Sequence, residues 1–468
     1  MTKPPADPGS FRDPLSRVFV ADDAVIRALS GEALADYEAA AAASFFTKAV
    51  ADGRIVGTER VPDDEVGALV GDEGRWEAAL RHDRIPFLSY PYEWPFEMLK
   101  DAALLQLELT RQGLDEGVIT KDATSYNVQF VGARPTFIDV GSFEKLRDGQ
   151  PWYGDRQFCE LFLYPLMLQA YKDLPFQPWL RGAIDGITPA EARALMSFRD
   201  RFRKGVFSQV VLRAALESRY ADTDTDVKKE LGKAGLRKEV LVANVDKLIK
   251  LVRRLQWKRS ESTWSGYSER GHYTDEDLDG KTAFVDAVVG RTHRSLVWDL
   301  GANDGHFSRL AAKNSDYVVA VDADPLVVDT LYRALREEGN TTILPLTMDL
   351  SSPSPGLGWR GAERKAFVDR TRPDVVLCLA VIHHLAITNN VPLPEFVAFL
   401  ADVGAEAVLE FPTPDDQMVK RLLKNKREGT HDDYTATVLE RALDEHFDVV
   451  ERTTLPSGTR ILYHLTPR

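Results

Sequence analysis

Apolar residues recur along this chain with two different rhythms, and the change from one to the other divides it. From Arg17 to Leu29 two short apolar stretches flank Asp22-Asp23, the pattern of a β-hairpin. Ala33 to Val50 is alanine-rich, contains Phe45 and Phe46, and predicts a helix. Met98 to Gly113 repeats its apolar residues every three or four positions and predicts a stronger one. Tyr126–Val131 and Pro135–Val140, separated by Gly132-Ala133-Arg134, predict a second hairpin. Phe158 to Tyr171 is apolar almost all round, as a buried helix must be. Val240 to Leu255 returns to helical spacing.

After about Ser260 short apolar runs bounded by turns alternate with helical stretches, the rhythm of a parallel sheet with crossover helices. Five runs predict strands: Ser295–Leu300, Tyr317–Val321, Thr342–Leu346, Asp374–Leu379 and Ala407–Phe411. Phe447–Arg452 and Arg460–Leu465, joined through Pro456-Ser457-Gly458, predict a closing antiparallel hairpin. The expected organisation is a flexible tail over residues 1–16, an α+β domain over 17–259, and an α/β domain over 260–468.

The chemistry gathers at the ends of the predicted strands. Ser295–Leu300 runs into Gly301-Ala-Asn-Asp-Gly305 and then a helix, which sets backbone N–H groups and a helix N-terminus against a ligand. Asp322 closes the second strand, 23 residues after Asp299, where a carboxylate accepts hydrogen bonds from two ribose hydroxyls. Met348-Asp349-Leu350 follows the third strand, and Ala380-Val381-Ile382-His383-His384 the fourth. This C-terminal part resembles the class I, Rossmann-like methyltransferases that use S-adenosylmethionine (SAM). The resemblance implies that Asp299, Gly301, Asn303 and Gly305 wrap the methionine and ribose of SAM. It implies further that Asp322, with Ala323 beside it, binds the ribose, and that Asp349 and Leu350 meet the adenine. Leu379 and Ala380 would lie against the cofactor. Asn303 stands where the family commonly has Gly, and Gly-x-Gly-x-x-Gly of the dinucleotide enzymes is absent. Upstream, Tyr273 covers the cofactor and Lys281 pairs with its carboxylate, or both simply cap the domain. Since every motif lies beyond Ser260, that segment is expected to bind SAM by itself.

Three residues are candidates for handling an acceptor proton: His383, His384 and Glu410. Adjacent histidines point in different directions, so at most one of the pair reaches a substrate, and both are equally at home in a core. Glu410, on an apolar strand, is either a base or the partner of a cation such as Lys420 or Arg421. A metal is not expected at the two histidines, because neighbouring His residues make poor shared ligands and no companion Cys or carboxylate has the right spacing.

In the N-terminal part, Asp122, Asn127 and Asp139-Val-Gly141 have the order and spacing of the base and metal ligands of phosphoryl transfer. The segment resembles the catalytic core of protein kinases and small-molecule phosphotransferases. It departs from them at Thr120, where His is usual, and in lacking a glycine-rich phosphate loop. Arg27 and Glu38 are the nearest substitutes for the family's strand Lys and helix Glu. The two parts together resemble a bacterial group, some of it associated with nodulation, in which a kinase-like region precedes a methyltransferase. A methyltransferase acting on a small molecule, natural product or glycan is the leading expectation. The alternatives are a non-catalytic adaptor and a bifunctional phosphotransferase–methyltransferase.

Composition narrows the setting. Net charge is -13, so the chain as a whole has no electrostatic reason to coat nucleic acid or an anionic membrane. Yet between Phe198 and Arg259 there are 17 Lys or Arg against 8 Asp or Glu, which is either a solvated face or a site for an anionic substrate or RNA. The two cysteines, Cys159 and Cys378, lie in apolar runs and suit buried thiols in a reducing cytoplasm. The N-terminus lacks a signal-peptide core, and no apolar run approaches the ~18 residues of a membrane span. The expectation is a cytoplasmic protein whose partner is a small-molecule or carrier-bound substrate, not a membrane or nucleic acid.

Overall fold

The computed structural model describes residues 4–71, 74–221, 237–259 and 274–468. The N-terminal part opens with four antiparallel strands, β1 (Ser16–Val20), β2 (Ala24–Leu29), β3 (Thr58–Arg60) and β4 (Ala78–Asp83), in the order β1-β2-β4-β3. Residues 5–7, expected as loose tail, bond to β1 instead: Asp7 N–H donates to Val18 O and Val20 N–H to Pro5 O. The helix expected over 33–50 is two, Gly31–Ala41 and Ser44–Ala51, because Ala43 is extended. What breaks it is remote. The Glu116 carboxylate accepts the N–H groups of Ser44 (2.6 Å) and Phe45 (3.0 Å), replacing the side-chain cap that Ala43 lacks. The turn lets Phe45 and Phe46 pack on Phe143.

A 20-residue helix, Phe96–Asp115, leads into β5 (Val118–Thr120), β6 (Val128–Val131), β7 (Arg134–Phe137) and β8 (Phe143–Lys145). β5 pairs with β8 and β6 with β7, both antiparallel. Helix Lys238–Arg254 lays Leu241, Val245, Leu248 and Val252 against the body and ties itself to helix Phe96–Asp115 through Arg111–Asp246 and Arg253–Glu108.

The C-terminal sheet has seven strands: β9 (Arg294–Leu300), β10 (Ser315–Asp322), β11 (Ile343–Thr347), β12 (Val375–Cys378), β13 (Glu406–Pro412), β14 (Phe447–Thr454) and β15 (Arg460–Pro467). Their order is β11-β10-β9-β12-β13-β15-β14, with the first five parallel and β15 antiparallel to both neighbours. Five parallel strands closed by an antiparallel hairpin form the open α/β sheet that the strand pattern predicted. The order reverses between β9 and β12, and the crevice above that point is where open α/β sheets bind ligands.

The two parts share one core. Phe87 stacks edge-on to Trp298 of β9, and Phe130 of β6 edge-on to Tyr332. The turn between β6 and β7 docks on the sheet through Gly132 N–H to Tyr317 Oη (2.8 Å) and Ala133 N–H to Asn340 O (2.9 Å). Gly132 has φ +59°, and a Cβ there would sit 2.4 Å from Thr341 Cα, so only glycine permits the approach. At the centre the Arg370 guanidinium and the Glu93 carboxylate, each about 1% exposed, form a two-pronged ion pair of 2.7 and 2.9 Å.

Candidate active site

At the carboxyl end of β9 the chain turns through Gly301 (φ +90°), Asn303 (φ +49°) and Gly305 (φ +81°) before helix His306–Ala311 begins. A Cβ on Gly301 would lie 2.1 Å from Val381 Cγ2, so the loops after β9 and β12 meet with no room for a side chain. Ala380, just before Val381, holds φ +56°, a conformation rarely adopted by a residue with a Cβ. Asp322, at the tip of β10, binds the turn: its Oδ2 accepts Asn303 N–H (3.1 Å) and its Oδ1 accepts Asp324 N–H (2.9 Å). Burial raises the pKa of this carboxyl, against the pull of those bonds. Ala323 follows at the same tip. Asp299 is buried, accepts Ser308 Oγ–H at 2.5 Å, and is pushed by burial up to about 6. Asp349 is exposed, its Oδ1 taking Ser351 N–H (2.8 Å) and Oγ–H (2.7 Å), while Leu350 packs on the core. Leu379 is buried beneath the same edge.

A buried ionic chain lies alongside. Lys281 Nζ stands 2.6 Å from Glu410 Oε2 and 4.6 Å from the centre of the Phe307 ring. Arg460 Nη1 stands 2.8 Å from Glu410 Oε1, and its Nε 2.9 Å from Asp416 Oδ2. Burial alone would raise the Glu410 pKa, but Lys281 and Arg460 outweigh it and hold the carboxyl at about 2. A carboxylate so stabilised is a weak proton acceptor, so the base reading of Glu410 gives way to the ion-pair reading. Its partners are also not the expected ones: Lys420 pairs with Asp415 at the surface, and Arg421 is exposed. Lys281, expected to meet a cofactor carboxylate, is held by Glu410. Tyr273 lies outside the described residues. Sequence reasoning missed Arg460 and Asp416, although an arginine inside the apolar run Arg-Ile-Leu-Tyr-His-Leu was a legible sign of a buried partner.

His383 and His384 follow β12 with ring centres 4.0 Å apart. His383 is fully buried, and neither ring nitrogen has a hydrogen-bond partner among the described residues. Burial, with His384 and Arg460 nearby, lowers its pKa well below the ordinary value; burial and Arg460 lower that of His384 to about 4. Both rings are neutral at pH 7. If His384 takes the acceptor's proton, the acid limb of kcat/KM falls near pH 4 rather than near 6.5. A limb at 6.5 that disappears in His384→Ala would show a solvated histidine instead.

In the N-terminal part, Arg27 Nη1 on β2 lies 2.9 Å from Asp139 Oδ1. Glu38 is turned away and bonds Arg60 at the surface (3.0 Å). Burial, then the charge of Asp139, raises the pKa of Asp122. Asn127 is buried. Thr120 Oγ1 pairs with Thr110 Oγ1 (2.8 Å) and accepts from Gln106. Among the described residues no group of three or more His, Cys, Asp or Glu is placed to hold a metal ion, and no helix is long and apolar enough to cross a membrane.

Comparison with known proteins places the whole chain. Over 461 residues it is 36% identical to the nodulation protein NoeA of Rhizobium meliloti, a match spanning 97% of this chain and 94% of that one. No family model matches. Among solved structures, the N-methyltransferase NodS of Bradyrhizobium japonicum aligns with TM-score 0.31 and 12% identity, over 42% of this chain and 98% of its own. Magnesium protoporphyrin IX methyltransferase of Synechocystis, with bound S-adenosylhomocysteine, aligns with TM-score 0.30 and 21% identity, over 43% of this chain and 94% of its own.

Proposed function

The chain belongs to the family of the nodulation protein NoeA, and from that premise we propose that it is a SAM-dependent methyltransferase acting on a small-molecule, glycan or carrier-bound acceptor. The observation that carries the reading is Asp322, fixed at the tip of β10 and bonded across to the Gly301–Gly305 turn at the switch point of the sheet. Its carboxylate keeps lone pairs for ribose hydroxyls, and the glycines at both ends of the turn let its backbone lie close to a ligand. Asp299 organises the turn from below through Ser308. SAM would supply an electrophilic methyl group on its sulfonium; the chain's task is to hold donor and acceptor in line. His384, the less buried of the two rings, is the better candidate for accepting an acceptor proton. The test is isothermal titration of the full chain with SAM and S-adenosylhomocysteine. Asp322→Ala should weaken binding by about 1–3 kcal/mol, the range for hydrogen bonds to a charged group; unchanged affinity would remove the ribose assignment.

The N-terminal part, in this reading, binds substrate or a partner and does not transfer phosphate. Support comes from Arg27, whose guanidinium neutralises Asp139 where a phosphotransferase needs that carboxylate for a metal. Asp139→Ala should therefore leave SAM binding and turnover near wild type, with ATP neither consumed nor required. Stoichiometric ADP formation abolished by that substitution would make the protein bifunctional.

A further inference from the structure

The basic stretch noted in the sequence takes an unusual form in the fold. Phe198 and Phe202, on either end of a tight turn over Arg199–Phe202, are 68% and 81% exposed. Their rings stand edge to face, 5.7 Å between centres, and the Arg201 guanidinium lies 5.4 Å from the Phe198 ring centre. The turn is held rigidly from beneath. Asp200 is buried and accepts Ser197 Oγ–H (2.6 Å) and Ser197 N–H (2.9 Å), while pairing with Lys172 (2.9 Å) and Arg203 (3.1 Å). The one acid of the turn thus faces inward, and Arg199, Arg201 and Lys204 are exposed without an ion pair among the described residues.

Two neighbouring segments extend this face. Tyr171 Oη donates to Lys204 O (2.9 Å), which brings up Leu174, 48% exposed. Gly205 abuts Leu251 of helix Lys238–Arg254, and Trp257 Nε1–H bonds Asp173 (2.6 Å), which brings up the exposed Lys250, Arg254 and Lys258. Exposed phenylalanines next to cations with no ion pair among the described residues mark a contact surface, not a solvated one.

We propose that this face docks the protein on an anionic lipid surface, with Phe198, Phe202 and Leu174 entering the headgroup layer and the surrounding cations meeting lipid phosphates. Apolar side chains set among Lys and Arg are the composition of interfacial anchors. Single-stranded nucleic acid fits less well, because its bases need free ring faces; the Phe198 ring here is engaged by Phe202 and by Arg201, and Leu174 has no ring. The overall charge of -13 does not forbid docking, since charges farther than about 8–10 Å are screened at physiological salt. The proposal departs from the expectation that net charge alone set for membranes.

The experiment is flotation of the full-length protein with phosphatidylcholine vesicles, with and without phosphatidylglycerol. Binding is expected only to the anionic vesicles, and Arg201→Ala should weaken it about fivefold. Phe202→Ser should weaken it even at low ionic strength, and the emission of Phe202→Trp should shift to the blue on adding anionic vesicles. Unchanged circular dichroism in these surface variants keeps the comparison clean. Failure to bind anionic vesicles, binding indifferent to Phe202→Ser, or single-stranded RNA bound more tightly than vesicles would each overturn the proposal.

Discussion

Glu410→Ala is expected to lower folding stability by about 3–5 kcal/mol, the cost of breaking a buried ion pair and leaving charge uncompensated. The size follows from the surroundings. Glu410 is fully buried and holds Lys281 at 2.6 Å and Arg460 at 2.8 Å, cations that are themselves about 4% and 1% exposed. Deleting the carboxylate takes from both buried cations the counter-charge they share, while Asp416 stays on Arg460. Glu410→Gln keeps the shape and loses the charge, so it isolates the electrostatic part. Its sign with pH is fixed by the folded pKa of about 2, below the ordinary 4.5. The carboxylate's contribution is fully present above pH 4.5 and is lost as pH falls towards 2. Urea denaturation across that window should show the lead of wild type over the Gln variant shrinking as pH falls. A Gln variant as stable as wild type but inactive would restore Glu410 as a base.

The strands of the C-terminal sheet were legible because parallel strands covered on both faces read as unbroken apolar runs. Ser295–Leu300 and Asp374–Leu379 lie within a residue or so of β9 and β12. The turn Gly301–Gly305 and the carboxylate of Asp322 were legible for the same reason: their places are fixed relative to strand ends. What stayed hidden depends on partners far apart in sequence. Nothing in the alanine-rich stretch 33–50 announces a break, since the cap that makes it comes from Glu116. Nothing near Glu410 points to Lys281, which comes from a helix more than a hundred residues earlier. The apolar period of Met98–Gly113 says nothing of the helix's charged side, where Asp101 accepts Tyr332 Oη–H (2.8 Å) and pairs with Arg336 (2.7 Å), and Asp329 accepts Glu97 N–H (2.7 Å). A polar interface between two parts of one chain has the same composition as a surface.

That interface carries the last prediction, which reverses the expectation that the segment from about Ser260 would bind SAM by itself. Arg370→Ala should cost about 3–5 kcal/mol, as for Glu410, because it strands the buried Glu93 carboxylate. Arg370 also donates to Leu88 O (2.9 Å) and lies 4.5 Å from the Tyr90 ring centre, so one side chain closes contacts along the whole stretch 87–93. Cutting the chain before the C-terminal sheet removes all of these at once. It would uncover Trp298, Phe367 and Tyr332, which now pack on or beside Phe87 and Phe130, and would leave Arg370 and Asp329 without the groups that Glu93 and Glu97 supply. Burying an aromatic side chain contributes about 1.5–3 kcal/mol, and a whole domain is stable by only about 5–15 kcal/mol. Residues 274–468 expressed alone are therefore expected to be protease-sensitive, to melt without a cooperative transition, and to lose SAM binding. Full-length Arg370→Ala should show a lowered urea midpoint for both parts together, since one core serves both. A fragment that unfolds cooperatively and binds SAM with the affinity of the full chain would show instead that the C-terminal sheet is a domain in its own right.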